Sequence, residues 1–138
     1  MNKSSVGQQY KQINAQTGVV DADPHRLIQM LFAGALEQIA IAKGCMQRNE
    51  VAGKGKAIGK VLGILGALRD SVNAEAGAPE LTDNLTALYE FATRRISEAN
   101  LGNEEAGLDD AMGILKELQA GWNDIRPEFL AKNELTSA

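Results

Sequence analysis

Residues 108–125 read LDDAMGILKELQAGWNDI, and apolar side chains recur in this stretch at alternating spacings of three and four. The positions that share this face are Leu108, Ala111, Leu115, Leu118, Trp122 and Ile125. This spacing places them on one side of an α-helix, whereas a half-buried strand would show strict alternation. Pro127 stops the pattern, because proline in a helix interior removes a hydrogen bond and clashes with the preceding turn. The stretch therefore predicts an amphipathic helix over about residues 104–125.

Three further blocks upstream show the same helical period. They cover about residues 24–48, 52–74 and 80–100. The first opens with Asp23 and Pro24, a residue that can cap a helix followed by a proline whose missing N–H would be unpaired anyway. Short polar turns join the blocks, and we find no internal repeat. We predict an all-α fold, an antiparallel up-down four-helix bundle over residues 23–126.

The two ends of the chain are predicted to behave differently from the bundle. In residues 1–22, one side of a short helical segment carries Val6, Tyr10, Ile13 and Thr17. A helix that short is marginal in water, so we expect order there only if Tyr10 and Ile13 dock onto the bundle. The segment is then either a permanent helical cap or a displaceable lid over a binding groove. Residues 127–138 are predicted to be a flexible tail.

The composition excludes several classes of function. With 138 residues, 44% hydrophobic and 23% charged, the chain fits one globular domain that folds without a metal or disulfide. Its formal charge of -4 argues against nucleic acid and anionic lipid as partners. One histidine, one cysteine and no Glu-x-x-His spacing predict no enzyme, no metal and no cofactor. Without a signal-peptide core or a run of about 18 apolar residues, we expect a cytoplasmic protein with no membrane insertion.

The second block carries a stripe of glycines beside its apolar face, formed by Gly55, Gly59, Gly63 and Gly66. Each glycine costs about 0.8–1.0 kcal/mol of helix propensity relative to alanine, so the four forgo about 3–4 kcal/mol. Close approach of another backbone is the usual compensation. Two sources stay open, a neighbouring helix of the bundle or a partner polypeptide in a shallow groove. For Gly34 of the first block, internal packing is favoured.

We interpret His25 and Trp122, two side chains often found in functional sites, as structural residues. His25 follows the helix start, where the helix dipole disfavours its protonation, and it has no second ligand residue nearby in sequence. We expect a surface or capping residue, and keep phosphate acceptance by His25 as an alternative. Trp122 continues the core face of the fourth block and is predicted to be buried.

Four segments in a fixed order resemble one known protein family. They are Tyr10 with NAQT at residues 14–17, DPHRLIQMLF at 23–32 continuing through GAL at 34–36, NLTALYEF at 84–91 with RRISEAN at 94–100, and LKELQAGW at 115–122. In order and spacing the chain resembles the flagellar secretion chaperones FliS over nearly its whole length. It departs from them at Ala33, where the family often has an acidic residue, and in its denser glycine stripe.

The resemblance implies a cytosolic chaperone that binds the C-terminal region of flagellin, prevents its premature polymerisation and delivers it to the flagellar type III secretion apparatus. A disordered amphipathic tail would fold on binding into an apolar groove. We expect that groove on the first two helices, with the N-terminal segment as its lid. The predicted partner-binding residues are Tyr10, Ile13, Ile28, Leu31, Phe32, Gly59, Leu62 and Leu65. A weak homodimer and a phosphotransfer bundle remain alternatives.

Overall fold

The computed structural model describes residues 23–74 and 79–124. These ranges form four α-helices, α1 (Pro24–Gln47), α2 (Val51–Ala74), α3 (Pro79–Gly102) and α4 (Glu105–Asp124). Each helix packs against the next one along the chain, and α4 also packs against α1. The prediction of an all-α four-helix bundle is therefore confirmed. The predicted N-terminal cap over residues 1–22 and the tail over residues 127–138 lie outside the described residues.

Helix α1 begins where the sequence predicted. The Asp23 carboxylate accepts a hydrogen bond from the backbone N–H of Arg26 at 2.8 Å, and Pro24 occupies the first helical position. One of the N–H groups left unpaired at a helix start is thereby satisfied. The boundary was predictable because every group involved lies within four residues of sequence.

The turns after α1 and α3 share one construction. Asn49 and Asn103 have positive φ angles of 58° and 54°, the left-handed conformation that asparagine tolerates better than most residues. The N–H of the following glutamate then donates to a carbonyl five residues back, from Glu50 to Cys45 at 2.9 Å and from Glu104 to Ala99 at 3.1 Å. This bond is typical of the Schellman motif, which ends a helix by pairing one of its last carbonyls.

The shared turn divides the bundle into two helical hairpins. Residues 49–53 and 103–107 both follow the pattern Asn-Glu-x-Ala-Gly, and each joins the two helices of one hairpin. We name α1 with α2 the first hairpin and α3 with α4 the second hairpin. The sequence analysis missed this repeat because the match spans only five residues, and its structural equivalence appears only once both turns are folded.

The glycine that closes each pattern brings the two helices of its hairpin close together. A Cβ atom at Gly107 would overlap the carbonyl oxygen of Arg95 and lie 2.9 Å from the Cβ of Ala99. A Cβ at Gly53 would lie 2.9 Å from the Sγ of Cys45. At these two glycines a Cβ would press against the neighbouring helix, whereas a Cβ at Gly55, Gly59 or Gly66 of the α2 stripe would meet nothing within 4 Å.

Side chains from all four helices fill one core. The largest fully buried apolar side chains are Leu31, Ile39, Val61, Leu65, Leu68, Ile96, Leu108 and Leu115. Helix α1 has the length and hydropathy of a membrane-spanning helix, a test that core helices also pass. Nine residues of α1 are buried within the bundle, so its apolar face is accounted for by core packing.

His25 and Trp122 hold the start of α1 against the end of α4. Their rings stack with centroids 4.7 Å apart and an angle of 11° between the planes. The Trp122 Nε1–H donates to the His25 carbonyl oxygen at 3.1 Å, and His25 Nε2 lies 2.9 Å from the Trp122 carbonyl oxygen. We expected a surface or capping residue, and the surface position was wrong because His25 is fully buried. Trp122 is half-buried against the core.

Candidate functional site

The predicted partner-binding residues do not form one open surface. Leu31, Phe32 and Leu65 are buried in the core, with exposed fractions of 0%, 2% and 1%. Helical periodicity identified them as apolar, but it could not show which apolar residues of a wide stripe point outward. A partner therefore cannot reach these three side chains in this conformation.

The remaining predicted residues lie nearer the surface. Ile28 and Leu62 are partly buried and pack against the core, whereas Gly59 is exposed. Tyr10 and Ile13 lie outside the described residues. The candidate surface in the described part of the chain is thus centred on α2 rather than on the apolar stripe of α1.

Three of the four glycines in the α2 stripe face open space in the described part of the chain. A Cβ atom at Gly55, Gly59 or Gly66 would meet nothing within 4 Å. Packing by a neighbouring helix of the described bundle therefore does not compensate these three glycines. Gly34 differs, since a Cβ there would lie in ordinary contact with Ile64 Cδ1 at 3.5 Å. Internal packing, favoured from sequence, accounts for Gly34 and not for the outward glycines of α2.

Basic side chains flank this stripe. Lys56 and Lys60 are exposed, and neither makes a hydrogen bond or ion pair with any described residue. We name the surface formed by Gly55, Gly59, Leu62 and Gly66, with the two lysines beside it, the α2 face. It combines open access to the helix backbone with unpaired positive charge.

The two hairpins carry opposite charge. Residues 24–74 contain seven basic and three acidic residues, a formal charge of +4. Residues 79–124 contain three basic and ten acidic residues, a formal charge of -7. The formal charge of -4 for the whole chain does not show this separation, but a count for each predicted helix would have shown it.

Some charged side chains of the two hairpins are paired across the helix contacts. Lys43 Nζ on α1 lies 2.7 Å from Asp109 Oδ1 on α4, and this hydrogen bond and charge raise the pKa of Lys43. On α2, Lys54 Nζ donates to the Asn100 carbonyl oxygen at 3.2 Å and to Asn103 Oδ1 at 3.1 Å. The first pair joins the hairpins along α1 and α4, and the second joins them along α2 and α3.

A second surface lies along the contact between α3 and α4. Arg95 Nε donates to Asp110 Oδ2 at 2.9 Å across the two helices. Phe91 lies one turn before Arg95 on α3, and Ile114 lies one turn after Asp110 on α4. From the Arg95–Asp110 pair we infer that these two apolar residues lie on the same side of the contact. Glu117 lies one turn beyond Ile114.

Apolar side chains remain accessible on this second surface. Leu88 and Phe91 are 38% and 37% exposed, and Ile114 is half-buried. A Cβ at Gly113 or Gly121 on α4 would meet nothing within 4 Å. We name the surface formed by Leu88, Phe91, Ile114 and Glu117 the seam surface. This surface was not predicted, because helical periodicity in the third block does not show which apolar side chains face solvent.

The single histidine and the single cysteine both lie in the described ranges and are both buried. They are His25 and Cys45, which is a free thiol. In residues 23–74 and 79–124, no group of three or more histidine, cysteine and acidic side chains is placed to hold a metal ion. The two open surfaces described above are suited to docking a polypeptide.

Comparison with known proteins agrees with the family resemblance seen in the sequence. The family model described as flagellar protein FliS matches residues 6–128. The chain is 44% identical over 117 residues to the flagellar secretion chaperone FliSB of Pseudomonas aeruginosa, covering 85% of this chain and 92% of that protein. It is 36% identical over 131 residues to the flagellar secretion chaperone FliS of Vibrio cholerae, covering 95% and 93%. With FliS of Salmonella typhimurium, identity is 32% over 120 residues.

Proposed function

This chain belongs to the FliS family of flagellar secretion chaperones, and we propose that its client is the C-terminal region of flagellin. The family consists of chaperones and not of enzymes. Bound to this chain, the flagellin tail is kept from polymerising and is delivered to the flagellar type III secretion apparatus. Both steps precede export, so the chaperone acts in the cytoplasm. The names of the relatives, flagellar secretion chaperones, support a role with an exported flagellar protein.

The observation that carries this proposal is the open α2 face. Three outward glycines, Gly55, Gly59 and Gly66, leave the helix backbone accessible. A helical segment of the client can therefore approach α2 more closely than larger side chains would permit. The propensity that these glycines sacrifice, about 2–3 kcal/mol for three, is offset when the client packs there. A disordered tail that folds on binding supplies such a segment.

The predicted residues take different parts in this proposal. Gly59 and Leu62 contact the client directly on the α2 face. Ile28 borders the bound tail on α1. The buried residues Leu31, Phe32 and Leu65 support the surface from beneath and contact the client only if the helices separate.

Calorimetric titration with a peptide from the C-terminal region of flagellin tests the proposal. We expect saturable binding with a negative heat-capacity change, because apolar surface is buried as the tail folds. A peptide of the same composition in scrambled order is the control and should not bind. Equal binding of both peptides, or of neither, contradicts the proposed client.

The N-terminal segment is proposed as the lid, with Tyr10 and Ile13 covering part of the groove when no client is bound. Deleting residues 1–17 should leave tail binding intact or tighten it, because the client no longer competes with the lid. The same deletion should lower the melting temperature of the empty chaperone. Calorimetry that shows lost binding together with unchanged melting contradicts the lid.

Two other functions are separated by simple measurements. A weak homodimer through an exposed apolar face would appear in light scattering of the protein without flagellin, and flagellin would dissociate it. The phosphotransfer alternative requires an accessible His25, whereas this ring is fully buried and stacked on Trp122. Detection of phosphohistidine in the wild type but not in His25→Gln would be needed to revive it.

A further inference from the structure

The seam surface leads to the point where α4 ends. The hydrogen bond from Arg95 to Asp110 identifies the side of α4 that faces α3. At helical spacing, that side carries Asp110, Ile114, Glu117 and Gly121. A Cβ at Gly121 would meet nothing within 4 Å, and α4 ends three residues later at Asp124. An open path therefore runs from the end of α4 along the seam surface.

Apolar side chains, rather than charge of one sign, distinguish this surface. Leu88 and Phe91 are exposed three residues apart on α3, whereas the other exposed large apolar residues of the described chain, Ile41, Val51 and Leu101, lie at separate positions. Charged side chains of both signs lie at or beside the seam surface, namely Glu90, Arg94, Arg95, Glu98, Asp110, Lys116 and Glu117. Clustered apolar exposure of this kind marks a docking site, and its local charge suits an occupant with little net charge.

The chain beyond α4 contains such an occupant. Residues 125–138, which lie outside the described residues, read IRPEFLAKNELTSA, and we name them the C-terminal segment. Pro127 cannot continue the helix, and Phe129 and Leu130 follow it as adjacent large apolar residues. The segment has two basic and two acidic side chains, so its formal side-chain charge is zero. An apolar pair on a neutral segment fits an apolar cluster whose surroundings carry both signs.

The C-terminal segment is long enough to reach the seam surface. In the antiparallel register of α3 and α4, Leu88 lies level with Glu117, seven residues before Asp124. At 1.5 Å per helical residue, that level is about 10 Å from the helix end. Phe129 follows Asp124 by five residues, and an extended chain of that length spans up to about 17 Å. The chain can therefore turn at Pro127 and still place Phe129 beside Leu88.

We propose that the C-terminal segment folds back on its own bundle and docks Phe129 and Leu130 on the seam surface, against Leu88 and Phe91. The covalent link keeps the segment at a high effective concentration, so that a small contact area is sufficient. Docking covers the exposed apolar cluster and keeps it from associating with other proteins. The flexible tail expected from the sequence is then ordered at these two residues. This inference does not depend on which client occupies the α2 face.

Nuclear magnetic resonance of the isotope-labelled full chain tests the proposal. In the wild type, the heteronuclear NOE values of residues 128–131 should match those of the helices. In Phe129→Ser these values should fall to those of a free tail, and the resonances of Leu88 and Phe91 should shift. Leu135→Ser is the matched control, because it removes an apolar side chain of the same segment. It should change neither the NOE values nor the resonances of the seam surface.

Limited proteolysis measures the same contact from the side of the bundle. Chymotrypsin cleaves after Phe129 and Leu130 only when they are released, so Phe91→Ser should be cleaved there about tenfold faster than the wild type. Leu101→Ser is the matched control, because Leu101 is 89% exposed on α3 but lies outside the seam surface, and it should be cleaved at the wild-type rate. Since residue 129 lies outside the described bundle, Phe129→Ser keeps the test valid if Phe91→Ser unfolds the protein.

Three results would overturn the proposal. Free-tail NOE values at residues 128–131 of the wild type would mean that the C-terminal segment stays flexible. Shifts on the α2 face in Phe129→Ser, without shifts at Leu88 or Phe91, would mean that the segment docks elsewhere. Resonances of Leu88 and Phe91 that depend on protein concentration, and that Phe129→Ser leaves unchanged, would assign the seam surface to a second copy of this chain.

Discussion

At the scale of single residues, a Cβ at Gly107 would come closer to the neighbouring helix than a Cβ at Gly34 or Gly53 would. Gly107 is buried between α3 and α4, where a Cβ would overlap the Arg95 carbonyl oxygen. Backbone atoms cannot yield as the end of a flexible side chain can. The present spacing of α3 and α4 is therefore possible only because residue 107 has no Cβ atom.

Gly107→Ala should destabilise the protein by about 1–3 kcal/mol, because the added methyl forces α3 and α4 apart. Gly113→Ala is the matched control on the same helix. Its Cβ would meet nothing within 4 Å, so the gain in helix propensity should stabilise the protein by about 0.5–1 kcal/mol. Urea unfolding of the two variants measures both changes. If both variants gain stability, the close contact between α3 and α4 is wrong.

Tyr89 gives the fold a dependence on alkaline pH. Its side chain is buried, and burial raises the pKa of Tyr89 from 10.0 to about 12. Between these values the unfolded tyrosine loses its proton while the folded one keeps it, so the unfolded state is favoured as pH rises. The free energy of unfolding should fall by up to about 2–3 kcal/mol from pH 10 to pH 12.

Tyr89→Phe isolates this effect, because it keeps the ring and removes the ionisable hydroxyl. Denaturant titrations at pH 9 and pH 11.5 should show a smaller loss of stability in this variant than in the wild type. Equal losses would mean that other groups cause the alkaline unfolding.

At this scale, sequence reasoning succeeded where the interacting groups are close in the chain. The Asp23 cap was predictable because its partner lies three residues away. The contacts of His25 with Trp122 were not, because 97 residues separate the two. No local pattern indicates that a histidine beside a helix start will be buried by a tryptophan at the far end of the chain.

At the scale of helices, periodicity predicted all four elements of the described ranges and most of their core faces. It could not predict the environment of the α2 glycines, because this depends on where α1 and α3 lie. The same limit placed Leu31 and Leu65 in the predicted site, although both are core residues. Periodicity identifies an apolar stripe, and only the packing of neighbours shows which edge of that stripe stays open.

The openness of the α2 face leads to a prediction for Gly59→Leu. The leucine fills space that a client helix would occupy, so affinity for the flagellin tail should fall by about tenfold. Folding stability should stay unchanged or rise by up to about 1 kcal/mol, since the site is exposed and leucine favours helix over glycine. Calorimetry and thermal melting measure the two effects. Ala120→Leu, at an exposed position of α4, is the control and should leave binding of the tail unchanged.

A larger effect of Gly59→Leu on folding stability than on tail binding would change the interpretation of the glycine stripe. If Gly59→Leu lowers the melting temperature strongly and leaves tail binding intact, a segment of this chain packs on the glycines. The α2 face would then be part of the folded core of the full chain and not a docking surface.

At the scale of the whole molecule, the bundle consists of two hairpins with the same turn and opposite charge. The first hairpin carries the open glycines and a formal charge of +4, and the second carries the seam surface and a formal charge of -7. Total charge and composition predicted a single soluble bundle but averaged over this division.

Co-purification from cells that make flagellin tests the client most directly. The tagged chaperone is expressed either with full-length flagellin or with flagellin lacking its C-terminal region. We expect equimolar recovery of full-length flagellin and no recovery of the truncated protein, because the C-terminal region is the proposed client. Recovery of both flagellins to the same extent, or of neither, would contradict it.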